Sequence, residues 1–357
     1  MSREKASATG DWDDDEYYSS GESYTPVPRR RRRKQRSVWP WLLLGCAGGI
    51  IILVLSAVII VLLAVRSATN GGSAPIIPGI PNQSTYSKQN QQALQISSLT
   101  QLQIHNQVGN VTITADPNAK IATLKTVRYA KAASSDDANK EFTNISVQIQ
   151  VPTATSLSIT ATVPDAGSIF GSHNDSVDLN IILPTSVLTS APTATPATTS
   201  TPTTTTAGTP FTLTVDNSIG NVAVSGINGI LLLKDDIGNI TVDHTTLFDT
   251  SHLLTGTGKV TFNGDLDTNP LASGSTPRYK LQSETGTVEV TLPGSTNIIL
   301  DANTNYGTIT SDFPINITTS DKSANFYGPL NANSPSGPAV AVLTLNVSTG
   351  DVLVHKA

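Results

Sequence analysis

The chain of 357 residues holds one cysteine, one methionine and few charged groups: Asp, Glu, Lys and Arg make up 14 % of it, and aromatic residues 5 %. A single cysteine, Cys46, excludes a disulfide framework. Scarce charge, against roughly 25 % in an ordinary soluble domain, means that part of the chain is out of water or that its polarity rests on uncharged side chains. A disordered acidic chain is excluded too, because a hydrophobic content of 38 % suffices for a core. Beyond residue 65 the chain has 13 Lys+Arg, scattered, against 20 Asp+Glu, so nucleic-acid binding by that region is not expected.

What is present begins with one long apolar run. Residues 37–65 carry no charge, and Leu42–Val65 is almost unbroken. At 1.5 Å per residue this run spans roughly 36 Å, enough for a bilayer core of about 30 Å with some tilt. A transmembrane helix over 38–65 is expected, in preference to a cleaved signal peptide, whose apolar region is shorter. The basic residues Arg29, Arg30, Arg31, Arg32, Arg33, Lys34 and Arg36 precede it, while Arg66 alone follows closely. This asymmetry is a topology signal: N-terminus cytoplasmic, C-terminal region outside, in a single-pass plasma-membrane protein. Trp39 and Trp41 suit the inner headgroup layer. Leu43-Leu44-Gly45-Cys46 looks like a lipoprotein box, but the uncharged run continues past the cysteine, which favours a plain helix thiol. Gly45 and Gly49 form a small-xxx-small pair through which two helices could meet as a homodimer.

The segments around this run differ in character. Residues 1–37 pair an acidic-aromatic block with the basic run and read as a disordered cytoplasmic tail. Residues 66–97, rich in Gly, Pro, Gln and Asn without periodicity, read as an extracellular stalk. In 184–210, 12 of 27 residues are Thr and 5 are Pro, a low-complexity insertion that favours extended conformations. Seven N-x-S/T sequons occur in a chain rich in Asn, Ser and Thr and decide nothing.

A repeat dominates the rest. Seven glycines, Gly109, Gly220, Gly238, Gly258, Gly286, Gly307 and Gly350, are each followed two residues later by Val or Ile. Upstream residues also alternate, giving the unit L-x-L-x(4)-G-x-[VI]-x-[VIF] with Ser251 breaking the first position. Period-two alternation marks strands with one buried face. Two such strands cannot bury that face alone, whereas stacked copies can. An all-β solenoid of about 20 residues per coil is therefore expected over 98–357, in preference to a β-sandwich. Three residues before the glycines stand Asn106, Asn217, Asp235, Thr255, Ser283 and Thr304, a polar column broken at Val347. Residues 121–129, 142–151, 156–163 and 177–183 read as further strands separated by turns such as Ser134–Asp137, and no useful helix is expected outside the membrane. The gap between Gly307 and Gly350 should hold an irregular coil or loop.

The units FTLTVDNSIGNVAVSG, ILLLKDDIGNITVD, HLLTGTGKVTFNG, YKLQSETGTVEVTLP and LTLNVSTGDVLV resemble the putative-adhesin (toastrack) domains of bacterial envelope proteins, over roughly 98–357. The resemblance implies a repetitive all-β ectodomain, an insertion rather than a domain boundary at 184–210, and a surface role. It supplies no catalytic residue.

Searching for chemistry gives little. The histidines, His105, His173, His244, His252 and His355, lack metal-ligand spacing, and no nucleophile elbow, P-loop or dinucleotide fingerprint occurs. No cofactor, metal or catalytic residue is expected. The sharpest enzymatic alternative is a carbohydrate-acting β-helix using Asp216, Asp235, Asp236, Asp265 or Asp267. Asp235 and Asp236 are adjacent, however, and point opposite ways in a strand. Calcium at Asp-rich corners lacks the nonapeptide pattern. The expected function is non-catalytic adhesion or cell-envelope interaction, with envelope stress sensing as the other reading. The expected partners are the lipid bilayer and a cell-wall glycan or surface protein.

Overall fold

Wherever apolar and polar residues alternate around the repeat glycines, the chain is strand. A computed structural model describes residues 83–164, 175–188, 210–271, 275–331 and 341–357. The tail, the apolar run with Cys46, the arginine-rich topology signal, the start of the stalk and most of the Thr/Pro segment lie outside the described residues. Among the described residues no helix is long and apolar enough to cross a membrane.

The first part of the chain forms β1 (Ser84–Leu94), β2 (Gln101–Val108), β3 (Val111–Asp116), β4 (Ala122–Ala132), α1 (Ser135–Asn144), β5 (Ser146–Thr153), β6 (Ser156–Thr162) and β7 (Ser176–Pro184). A 3-10 turn, Thr185–Val187, follows. Next come β8 (Thr212–Ile219), β9 (Val222–Ser225), β10 (Ile230–Ile237), β11 (Ile240–Leu247), β12 (His252–Leu266) and β13 (Arg278–Leu292). The last strands are β14 (Ile299–Tyr306), β15 (Ile309–Ser311), β16 (Thr318–Ser320), β17 (Ser323–Pro329), β18 (Val342–Thr349) and β19 (Val352–Lys356).

The repeat halves stack into two ladders joined at the glycine corners. Upstream halves give the order β5-β6-β2-β8-β10-β12-β13-β18-β14-β17-β16, parallel from β6 to β14 and antiparallel at both ends. Downstream halves give β1-β4-β7-β3-β9-β11-β12-β13-β19-β15, parallel from β7 onward. Strands β12 and β13 run through the corner and belong to both. The described residues form one compact unit.

In-register pairing turns the repeat pattern into buried columns. One runs Ile159, Ile104, Val215, Leu233, Leu253, Leu281, Leu345, Ala302 across eight strands. On the second ladder Ile181, Ile113, Val224, Val242, Phe262, Val290 and Val354 form another. All these residues are buried in one core. Phe262 is fully buried between Val242 and Val290, so Phe262→Ala should cost about 3–5 kcal/mol. A urea midpoint unchanged by that substitution would contradict this packing.

The all-β class expected from the sequence is what the structure shows, but the coils are not wound one after another. The coil of Gly350 sits between those of Gly286 and Gly307, because β18 pairs with both β13 and β14. At the other end the β6/β7 coil stacks outside the coil of Gly109. The long gap before Gly350 holds β16 and β17, which fold back antiparallel on β14. Antiparallel strands thus cover both ends of the first ladder and the β7 end of the second, the edge protection that an open sheet requires, while β15 ends the second ladder in parallel pairing with β19.

Three local expectations are corrected. Ser84–Leu94, read as stalk, is an edge strand paired with β4 along its whole length. The Ser134–Asp137 turn is the start of α1: the Ser134 hydroxyl accepts from the Asp137 N–H at 3.2 Å, and Asp136 and Asp137 favour the positive helix end. Phe142, assigned to a strand, anchors this helix together with Ala138. The break at Ser251 has a reason as well. Its hydroxyl accepts from the Leu231 N–H at 3.0 Å and donates to the Phe248 carbonyl at 2.6 Å, turning the chain into β12.

Candidate functional site

The repeat glycines form a column at the corner between the ladders. A Cβ on Gly238 would fall under 3.0 Å from the carbonyl oxygen of Gly220. The same clash recurs from Gly220 to Gly109, Gly258 to Gly238, Gly286 to Gly258, Gly350 to Gly286 and Gly307 to Gly350, while Gly109 meets Val177. Six of the seven have φ between 127° and 158°, and Gly307 is the exception. The column is a backbone device and offers no side-chain chemistry.

Behind it lies the polar column, fully inside. Thr255 donates to the Gly238 carbonyl at 2.9 Å, Ser283 to that of Gly258 at 2.8 Å, and Thr304 to that of Gly350 at 2.7 Å. Asn106 donates to Asn217 at 2.9 Å, and Asn217 to Asp235 at 3.3 Å. Asp235 is 1 % exposed and its second oxygen, Oδ2, has no partner. Burial pushes its carboxyl up to about 7, opposed by the hydrogen bonds from Asn217 and the Ile237 backbone.

Of the carboxylates singled out from the sequence, Asp216 and Asp236 meet at one ammonium, that of Lys234, while Asp235 turns away from them. Asp235 faces the core, whereas exposed Asp236 pairs with Lys234 at 2.9 Å. Asp216 lies 3.8 Å from the same ammonium and 3.4 Å from His105, so these groups form a surface ion-pair row. Asp265 and Asp267 lie a coil or more further on, and the Asp267 carbonyl accepts from the Tyr279 hydroxyl. His355 sits 3.2 Å from Asp312, and His244 2.6 Å from Asp243. Burial holds His252 below the usual imidazole range, and His173 lies outside the described residues. Among the described residues no three His, Cys, Asp or Glu side chains are grouped to hold a metal.

What the fold does present is outward-facing rows. On the second ladder Gln91, Lys125, Asn180, Thr112, Ala223, Thr241, Thr261, Glu289, Leu353 and Thr310 share one row over ten strands. At about 4.8 Å per strand the row is roughly 43 Å long. Beside it runs an amide ladder not foreseen from the sequence, although G-N-[VI] occurs three times. Asn221 donates its backbone N–H and Nδ2 to Asn110 Oδ1 at 3.0 and 3.1 Å, and Asn239 does the same to Asn221. The Lys259 N–H continues it to Asn239 Oδ1 at 2.8 Å. A groove of about 430 Å³ lies over Ala223, walled by Asn110, Asn180, Asn221, Lys125 and Asp178.

No family model matches the chain, and no curated protein does. Among solved structures the chain is similar to a putative cell adhesion protein from Clostridium sporogenes, at 12 % identity and a TM-score of 0.40, over 76 % of this chain and 100 % of that one. It is also similar to a putative adhesin from Bacteroides fragilis, at 10 % identity and a TM-score of 0.30, over 77 % of this chain and 100 % of that one. A putative lipid binding protein from Parabacteroides distasonis matches at 9 % identity and a TM-score of 0.26, over 74 % of this chain and 96 % of that one.

Proposed function

We propose that the chain is a single-pass membrane protein, N-terminus inside, whose stacked β-domain makes non-catalytic contact at the cell surface, in adhesion or cell-envelope interaction. The observation that carries this reading is the row of mostly uncharged polar side chains, roughly 43 Å long, that ten in-register strands hold open to solvent. Hydroxyls and amides in a fixed lattice match a long polyhydroxylated ligand, since each can donate and accept. A rigid solenoid-like face supplies such a surface with little ordering cost. The Lys234 ion-pair row and the inward carboxyl of Asp235 support contact over catalysis.

The test has two parts. Protease added to intact cells should remove the β-domain; complete protection would refute the orientation. The full chain should be retained on cell-wall or glycan preparations, and retention should fall at least several-fold when Thr241 and Thr261 are both changed to Glu. Failure to bind any such preparation, with the domain folded, would refute the contact role.

A further inference from the structure

Strand β13 carries two cations that no carboxylate answers, although the chain beyond residue 65 has 13 Lys+Arg against 20 Asp+Glu. Arg278 and Lys280 are exposed on either side of buried Tyr279, so both side chains leave the same outward face of the first ladder. Lys140, Lys234 and Lys259 each lie against a carboxylate. Neither the Arg278 guanidinium nor the Lys280 ammonium has an ion-pair or hydrogen-bond partner among the described residues. Two acids of this region are engaged elsewhere. Asp249, 6 % exposed, accepts from the Arg278 backbone N–H at 2.9 Å, and Asp301, two strands from Lys280, accepts from Asn303 Nδ2 at 2.7 Å.

The two cations line a cavity of about 440 Å³. His252 of β12 and Thr344 of β18 flank Lys280 in register, and Leu254 follows His252 on the same face. Across these three strands the floor is about 10 Å wide. Its lip is the turn at Thr250 and Ser251. The Thr250 N–H donates to the Arg278 carbonyl at 3.0 Å and the Lys280 N–H to the Ser251 carbonyl at 3.1 Å, which pins the turn to β13. Thr250 holds a φ of 73°, a left-handed conformation that a β-branched residue keeps only where its surroundings fix it.

These groups select a ligand that carries both charge and hydroxyls. The guanidinium fork matches a carboxylate, and the ammonium adds a second positive charge. The Thr344 hydroxyl donates and accepts. Burial holds the His252 imidazole below its usual range, with Lys280 adding to the effect and the Thr250 backbone opposing it. An uncharged imidazole donates at one nitrogen and accepts at the other, as a pair of sugar hydroxyls requires. Half-buried Leu254 supplies an apolar wall for C–H groups.

We propose that this cavity binds an acidic sugar unit of a glycan, with Arg278 and Lys280 holding its carboxylate and His252 and Thr344 hydrogen-bonding its hydroxyls beside Leu254. This rests on the surface-contact reading above and assigns it a site on the first ladder, distinct from the long row on the second.

The experiment uses the full chain in detergent, with oligogalacturonate and its methyl ester as paired probes and polyglutamate and inorganic phosphate beside them. Oligogalacturonate should bind, and binding should weaken tenfold or more both in the ester and in the Arg278→Gln/Lys280→Gln variant, with unchanged thermal midpoints. Thr344→Val should weaken it about threefold or more. Lys88→Gln/Lys120→Gln removes the same charge from exposed positions outside the cavity and should bind within about twofold of the parent. Equal losses in the two double variants, or none in Arg278→Gln/Lys280→Gln, overturn this site and leave the surface-contact reading standing. An ester that binds as tightly as the acid overturns the carboxylate role. Polyglutamate or phosphate binding as tightly as oligogalacturonate overturns the sugar class. Retention on cell-wall preparations without oligogalacturonate binding overturns this ligand alone, and retention on neither overturns the contact reading with it.

Discussion

Gly258→Ala is expected to abolish stable folding, although it adds one methyl group. Two costs coincide at this residue. Its φ of 148° is a conformation that an L side chain adopts with strain of about 1–3 kcal/mol. Its new Cβ would also fall under 3.0 Å from the Gly238 carbonyl oxygen. That oxygen is backbone, held by Thr255 at 2.9 Å and by the parallel pairing of β10 with β12. Relief requires the coils to separate, and separation breaks pairing on both ladders at once. The combined cost is on the order of 4–6 kcal/mol, comparable with the whole stability of many domains. Two controls isolate the causes. Gly307→Ala meets the Gly350 carbonyl but lacks the left-handed φ, so it should cost less than Gly258→Ala. Gly294→Ala meets only the flexible end of Lys356 and should stay within about 1 kcal/mol of the parent. Urea unfolding followed by near-UV circular dichroism reads all three. A Gly258→Ala protein as stable as Gly294→Ala would remove the column from its role in stacking.

The glycine unit was readable in the sequence because backbone crowding at one corner recurs at every coil and selects the same residue each time. Coil order was not readable, for a related reason. Every coil offers the same inward pair of apolar residues in each half, so Leu345 packs beside Leu281 as readily as Ala302 would. What separates the arrangements is end chemistry: the β16–β17 hairpin covers β14 and leaves the flank of β13 open to β18. Ser84–Leu94 escaped notice because ten of its eleven residues are not buried, so it lacks the alternation that betrays a half-buried strand. Helix α1 spans ten residues and buries only Ala138 and Phe142, too little periodicity to register. The pairing of the outlying strands was invisible for a different reason. Tyr327 comes to Asp301 by antiparallel pairing, and Asn346 to Asn303 by the out-of-order coil; spacing along the chain encodes neither.

Asp235 carries the second large effect, and it depends on pH. Its neighbours in the polar column, Thr255, Ser283 and Thr304, each donate to the glycine carbonyl of an adjoining coil. At its own level the equivalent carbonyl is that of Gly220, which lies beside the same point of Gly238 as the unpartnered Oδ2. An ionised carboxylate cannot donate there, whereas a protonated one can. Burial already favours the neutral form, pushing the group from 3.8 to about 7, with exposed Asp236 adding to the effect. Because the folded state holds the proton more tightly, stability is full below about pH 4, falls between pH 4 and 7, and levels off above that. A change from 3.8 to about 7 corresponds to roughly 4 kcal/mol across the window. Asp235→Asn supplies a permanent amide donor of the same shape. It should match the parent at pH 4 and exceed it by a few kcal/mol at pH 8. Taking the difference between the two proteins removes whatever pH dependence they share. Asp235→Ala should instead weaken the fold at every pH by about 1–3 kcal/mol, since it leaves a cavity and strips Asn217 of its acceptor. Denaturation midpoints at half-unit pH steps decide the matter. If Asp235→Asn keeps the parent's slope between pH 4 and 7, the buried carboxyl is not the source of the pH dependence.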